Sequence, residues 1–90
     1  MSYRIIYARS FHKALRQLTQ TEQKMVVSKV LQLAKNPFYP SLRSKKIKGT
    51  PGLFECSVNM DIRIIWKYNE LEKDLLMMLD VGHHSIVDKM

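Results

Sequence analysis

Apolar and polar residues alternate in two stretches of the second half of the chain, which predicts two β-strands over residues 53–59 and 61–68. The apolar positions are every second residue, namely Phe54, Cys56, Val58, Ile62, Ile64 and Trp66. Successive side chains of a strand point to opposite faces, so these six are expected to share one face of a sheet. Asn59-Met60 is the predicted turn. A third stretch, ending at Val81, is apolar on both faces, which is typical of an interior strand.

The first half of the chain predicts a strand and two helices. Residues 3–7 are rich in β-branched and aromatic side chains, as in a strand. Ser10 is the predicted N-cap of a helix that continues to Leu18, with apolar residues at helical spacing. A second helix begins at Thr21 and ends at Asn36-Pro37, because proline disfavours helical backbone in the residue before it. The irregular, basic residues that follow, up to Thr50, are predicted to form a loop.

The resulting order, β-α-α-β-β-β, predicts an α+β fold. A helical hairpin is expected to pack on one face of a small, mainly antiparallel sheet and to cover the face that carries Phe54, Cys56, Ile62, Ile64 and Trp66. The length of 90 residues indicates one domain, residues 1–90. The opposite face of the sheet carries Glu55, Ser57, Asp61 and Arg63, and nothing in the sequence is predicted to cover it.

Charge is divided unevenly along the chain. The formal net charge is +7, and residues 1–48 hold eleven basic side chains against one acidic side chain, Glu22. Residues 49–90 hold four basic and seven acidic side chains. This asymmetry indicates an anionic partner, either nucleic acid or an acidic protein. The alternative is a basic surface that only aids solubility.

Several classes of protein are disfavoured by the sequence. No apolar run approaches the roughly 18 residues of a membrane span, and the N-terminal apolar stretch is short for a secretory signal. A single cysteine, Cys56, forms no internal disulfide and no CxxC motif. No glycine-rich phosphate-binding loop is present. We therefore expect a cytoplasmic protein that binds no membrane, with neither a metal site nor a cofactor.

General acid–base chemistry is the reaction class that the remaining residues fit. Cleavage of RNA through its 2′-hydroxyl needs a base, an acid and a cation near the phosphorus, and histidine suits the first two roles. His84, Asp61, Arg63 and the nearby lysines are candidates for such a set. The alternative interpretations are that His83 and His84 are ordinary surface histidines and that Arg63 forms a salt bridge with Asp61 or Glu55.

Four segments resemble the RelE/ParE superfamily of bacterial toxins, and within it the YafQ-like branch. Residues 3–15 are similar to the opening strand and x-F-x-K-x-L helix of that family, and residues 46–49 resemble the L-x-G stretch before the hairpin. Residues 54–67, FECSVNMDIRIIWK, are similar to the aromatic-E-C-H-I-x-P-D-x-x-x-I-Y-K motif of the branch. The ending Val81-Gly82-His83-His84-Ser85 resembles its G-x-H-[SD].

The resemblance implies a toxin of a type II toxin–antitoxin system that cleaves mRNA on the ribosome without metal. It implies catalytic roles for His84 and Asp61, and a phosphate or transition-state contact for Arg63. The residues expected to bind RNA or its phosphates are Lys45, Lys46, Lys48, Arg43, Ser57 and His83. The expected partners are an acidic antitoxin, partly disordered when free, and the mRNA-loaded ribosome. The toxin itself is expected to be a monomer alone or to form a heteromer with the antitoxin.

Two positions depart from the family pattern. Ser57 replaces a histidine of the second strand, and Asp88 stands where the family has an aromatic residue that stacks on a base. These departures leave open a degenerate member that binds antitoxin or RNA without cleaving. A ParE-like inhibitor of DNA gyrase is a further alternative, against which His84 and Asp61 argue.

Overall fold

The computed structural model describes residues 2–88, without the side chain of Asp88. Its elements follow the order β1 (Arg4–Tyr7), α1 (Arg9–Leu15), α2 (Gln20–Lys35), a 3₁₀ turn (Pro40–Leu42), β2 (Lys45–Lys46), β3 (Phe54–Ser57), β4 (Ile62–Tyr68), β5 (Leu75–His83) and α3 (Ser85–Asp88). Within residues 2–88, no helix is long and apolar enough to cross a membrane.

The strands form one mixed sheet in the order β1-β5-β4-β3-β2. β1 pairs with β5 in parallel, and the other three pairings are antiparallel. Cys56 lies opposite Ile64, and Phe54 lies opposite Trp66, so the predicted apolar positions do share one face. The predicted α+β fold is confirmed.

The core lies between this face and the helices. Phe11 of α1 and Val26, Val30 and Leu33 of α2 are buried in one cluster with the apolar side chains of the sheet, including Trp66. α2 begins with a capping box at Thr19: the backbone N–H of Glu22 donates to the Thr19 hydroxyl (3.2 Å), and the Glu22 carboxylate accepts from the Thr19 backbone N–H (2.9 Å). The helix therefore starts at Gln20, one residue earlier than predicted.

The predicted bounds of the first helix and the predicted end of the last strand were wrong, and one strand was not predicted. The first helix is capped at Ala8 and ends at Leu15, and the Ser10 hydroxyl donates to the Leu79 carbonyl oxygen instead of capping the helix. The predicted loop contains the edge strand β2, because Lys45 and Lys46 pair with β3. β5 does not end at Val81 but continues to His83, since its last residues pair with the start of β4.

The second face of the sheet is partly covered, contrary to the prediction. Gly82 and Arg63 are paired and share this face, and a Cβ atom on Gly82 would lie 2.9 Å from a side-chain carbon of Ile86. α3 therefore turns back across this face and packs against β4 and β5. Ile65 also lies on this face and is fully buried.

Candidate active site

The loop between β3 and β4 is closed by the side chain of Asn59. Its amide oxygen accepts from the backbone N–H of Asp61 (2.9 Å) and of Ile62 (2.7 Å), and the N–H of Val58 donates to the carbonyl oxygen of Ile62 (2.9 Å). Asparagine favours such turns because its short side chain substitutes for a backbone acceptor. The loop therefore holds Asp61 at the end of the sheet, immediately before β4.

The end of β5 brings two histidines to the same place. Ile62 pairs with His83, so the last residues of β5 lie beside Asp61. The two carboxylate oxygens of Asp61 contact different rings: Oδ1 lies 2.9 Å from Nδ1 of His84, and Oδ2 contacts Nδ1 of His83. About half or more of each of the three side chains is exposed, which leaves the cluster open to a large substrate.

Hydrogen bonding to the two imidazoles lowers the pKa of Asp61. The bond with His84 is the main cause and that with His83 the second, and together they bring the pKa from 3.8 to about 2. A carboxyl group with a lower pKa in the folded state stabilises that state above about pH 4, and this stabilisation is lost as the pH falls towards 2. Asp61 is therefore a carboxylate at every pH at which histidine acts as an acid or base.

Arg63 lies near Asp61 in sequence but donates its hydrogen bonds elsewhere. One terminal nitrogen, Nη1, donates to the carbonyl oxygens of Asn59 (2.9 Å) and Ile62 (3.2 Å), and the other, Nη2, donates to that of Met60 (3.2 Å). Its Nε lies 4.0 Å from a carboxylate oxygen of Glu55. Arg63 thus stabilises the β3–β4 loop through these hydrogen bonds. Of the two salt bridges that the sequence suggested for Arg63, with Asp61 or with Glu55, the structure contains the one with Glu55.

The predicted RNA-binding residues lie in three different places. Three lysines of residues 45–48 line a groove of about 300 Å³ together with Glu55 and Val87, the latter from α3. Arg43 and Ser57 line a different groove of about 350 Å³, which they share with Arg63. His83, also predicted as a phosphate contact, lies in the Asp61 cluster. The expected loss of a stacking aromatic at Asp88 concerns a side chain outside the described part of the chain.

Sequence reasoning missed the structural role of Asn59, although an asparagine in a two-residue turn is a recognised turn signal. It also missed that both histidines contact one carboxylate. Among the described residues, no group of three or more histidine, cysteine, aspartate or glutamate side chains is arranged to hold a metal ion.

Cys56 is unsuited to nucleophilic chemistry, because it is fully buried in the core. Burial raises the pKa of its thiol to about 12, so almost none is thiolate at neutral pH. We expect Ellman's reagent to leave the folded protein unmodified at pH 8 and to label one thiol per chain after unfolding in guanidinium chloride. Stoichiometric labelling of the folded protein within minutes would contradict the buried position.

No protein-family model and no curated protein matches the sequence. Solved structures do match its fold. The archaeal RelE–RelB complex from Pyrococcus horikoshii OT3 has a TM-score of 0.74 at 22% identity, over 92% of this chain and 96% of that chain. The RelBE2 toxin–antitoxin complex from Mycobacterium tuberculosis has a TM-score of 0.77 at 16% identity, over 93% and 100%. The RelB–RelE antitoxin–toxin complex from Methanococcus jannaschii has a TM-score of 0.71 at 23% identity, over 94% and 98%.

Proposed function

We propose that this chain, which has the fold of the RelE/ParE toxins, is the toxin of a type II toxin–antitoxin system and cleaves mRNA bound to the ribosome. The observation that carries the proposal is the contact of both carboxylate oxygens of Asp61 with the Nδ1 atoms of His83 and His84. Asp61 and His84 are also the residues whose positions in the sequence resemble the motifs of the YafQ-like branch. The proposed site of action is the cytoplasm, where ribosomes are found.

Asp61 would fix both imidazoles in one tautomer. A neutral ring whose Nδ1–H donates to the carboxylate presents an unprotonated Nε2 atom to the substrate. One histidine then removes the proton of the RNA 2′-hydroxyl through Nε2. The other, in its protonated form, donates a proton to the departing 5′-oxygen. We assign His84 one of these two roles and His83 the other.

The chemical step is a transesterification at phosphorus. The 2′-oxygen forms a bond to phosphorus as its proton passes to the basic histidine, and the bond from phosphorus to the 5′-oxygen breaks. The products are a 2′,3′-cyclic phosphate and a free 5′-hydroxyl. The extra negative charge on the phosphoryl oxygens would be stabilised by Lys45, Lys46 and Lys48, of which Lys45 lies opposite Glu55 and shares the second face with it.

The ribosome would position the RNA, which this small and open site does not do alone. The cluster is open on one side, and positioning of the reacting groups alone contributes about 7–11 kcal/mol in favourable cases. An mRNA held in the decoding site would present its 2′-hydroxyl and phosphate in a fixed geometry. We therefore expect cleavage of ribosome-bound mRNA and little cleavage of free RNA.

The proposed inhibitor is an acidic antitoxin. The basic half of the chain exposes Lys13, Arg16 and Lys24 on the helical hairpin and Lys45 and Lys46 on β2. The structures similar to this chain include complexes of toxins with RelB antitoxins. An acidic segment that orders on binding would neutralise this surface.

One observation favours the alternative of a protein that binds without cleaving. The terminal nitrogens of Arg63 donate to carbonyl oxygens of its own loop, so the guanidinium is already engaged. Ser57, in the position of a family histidine, adds to this argument. In that case the chain would still bind an antitoxin.

Induced expression in bacterial cells distinguishes these functions. We expect protein synthesis to stop within minutes and primer extension to reveal mRNA ends at fixed codon positions. Loss of DNA supercoiling with continued translation would indicate a gyrase inhibitor. Normal growth with intact mRNA, at protein levels confirmed by immunoblot, would contradict the proposed function. It would favour the alternative of a protein that binds an antitoxin or RNA without cleaving RNA.

A further inference from the structure

A groove of about 350 Å³ adjoins the Asp61 cluster but is not part of it. Its polar lining comes from Ser41, Arg43, Ser57, Asn59 and Arg63, and Met60 stands at its edge. No carboxylate lines it. The groove lies next to the candidate active site, because two residues that line it, Asn59 and Met60, directly precede Asp61 in the β3–β4 loop.

Arg43 reaches this groove from a backbone conformation that arginine rarely adopts. Its φ and ψ are 50° and 42°, and it is the one non-glycine residue with positive φ in the described part of the chain. Left-handed backbone is unfavourable for a side chain with a Cβ atom, and such strain concentrates at binding and catalytic sites. Glycine or asparagine would fit the position better, so arginine is costly there for the fold.

The surrounding segment holds Arg43 in this conformation. Leu42, the preceding residue, is fully buried, and the N–H of Arg43 donates to the carbonyl oxygen of Pro40 (3.2 Å). The Ser44 hydroxyl donates to the carbonyl oxygen of Pro37 (2.6 Å), and the Ser41 hydroxyl donates to Gln32 of α2 (3.2 Å). The segment is therefore preorganised on both sides of Arg43.

Met60 gives the groove an apolar edge. Its side chain is 96% exposed at the tip of the β3–β4 loop, where a polar residue would satisfy the turn equally well. A flexible thioether packs well against flat, polarisable surfaces such as a nucleobase. The groove thus combines a cation, hydroxyl groups and an apolar contact, which are the partners of a phosphate, a ribose and a base.

We propose that this groove is a nucleotide subsite, which binds the nucleotide next to the cleaved phosphodiester. Arg43 binds its phosphate, Ser41 and Ser57 contact the sugar–phosphate backbone, and Met60 packs against the base. The inference rests on the proposed function, since the same strand of RNA occupies both sites. It makes Arg43 a determinant of affinity, because a phosphate contact positions the strand, and Met60 a determinant of which base is accepted.

The test uses Arg43→Asn, because asparagine tolerates the left-handed conformation and removes the guanidinium. Arg9→Asn is the matched control: it removes the same charge from an exposed position at the start of α1. On ribosomes loaded with mRNA, we expect Arg43→Asn to raise KM about tenfold or more with little change in kcat, as for loss of a charge-assisted contact. Arg9→Asn should change KM by less than about twofold.

A binding measurement separates this inference from the proposed function. A single-stranded RNA hexamer with 2′-O-methyl groups resists cleavage, and its titration into the wild-type protein is followed by NMR. We expect shifts of the Met60 methyl signal and of the Ser41–Arg43 amides, and their loss in Arg43→Asn. Shifts at His83 and His84 without any at Met60 and Arg43 would overturn the subsite alone. An absence of RNA binding together with an absence of mRNA cleavage would overturn both proposals.

Discussion

Replacement of His84 by alanine is expected to lower the rate of mRNA cleavage on the ribosome by about 10² to 10⁴-fold, the usual contribution of one general acid or base. The imidazole is exposed and held by a single hydrogen bond to Asp61, so its removal leaves the core intact. The measurement is a single-turnover cleavage assay on programmed ribosomes. Thermal unfolding of the same variant should occur within a few degrees of the wild type.

His12→Ala is the matched control for this experiment. His12 is exposed on α1, where its ring lies beside Tyr7, and it has no place in the proposed mechanism. We expect this variant to cleave at the wild-type rate. Equal activity of the His84→Ala variant and the wild type would remove His84 from the mechanism. Equal loss in the two histidine variants would indicate a general effect on the fold or on ribosome binding.

Replacement of Trp66 by alanine is expected to destabilise the fold by about 3–5 kcal/mol, as is typical of deleting a buried aromatic side chain. Trp66 is fully buried, its ring stacks on Phe54 at 4.7 Å, and Phe38 and Tyr68 meet it edge-on. Since small domains are stable by about 5–15 kcal/mol, this loss is a large share of the total. The measurement is urea unfolding followed by circular dichroism, because the variant has no tryptophan.

Trp66→Phe separates the packing of the ring from its polar atom. The indole Nε1 is buried without a hydrogen-bond partner among the described residues, and a buried unsatisfied donor costs about 1–3 kcal/mol. Phenylalanine removes this donor and keeps most of the aromatic contact. We expect the variant to lie much closer to the wild type than Trp66→Ala does. A Trp66→Ala loss below about 1 kcal/mol would contradict the central position of this ring in the core.

Alternation of apolar residues was sufficient to predict the sheet and the side on which the helices pack. The opposition of Cys56 and Ile64 follows from the pattern, because a shift of one residue would expose every apolar side chain of one strand. β2 was not predictable in this way, because two lysines carry no apolar pattern and pair only where β3 brings an edge to them. The same holds for α3, a single turn that depends on the space left above Gly82.

The candidate site could be predicted only in part. Resemblance pointed to Asp61 and His84, and the structure places these two side chains in contact. The position of Arg63 was not predictable, because it depends on three carbonyl oxygens that converge only when Asn59 closes the loop. Arg43 had no local signal beyond its charge, because arginine is not a residue type that favours the left-handed backbone found there.

The tautomers of His83 and His84 test the central claim most directly. Long-range ¹H–¹⁵N NMR spectra at pH 8.5, where free histidine is neutral, distinguish a proton on Nδ1 from one on Nε2. The hydrogen bonds to Asp61 predict that both rings carry the proton on Nδ1 and that Asp61→Asn removes this preference, whereas the signals of His12 stay unchanged. Protons on Nε2 of both rings in the wild-type protein would contradict the proposed acid–base site. Identical His83 and His84 spectra in the wild type and in the Asp61→Asn variant would contradict it as well.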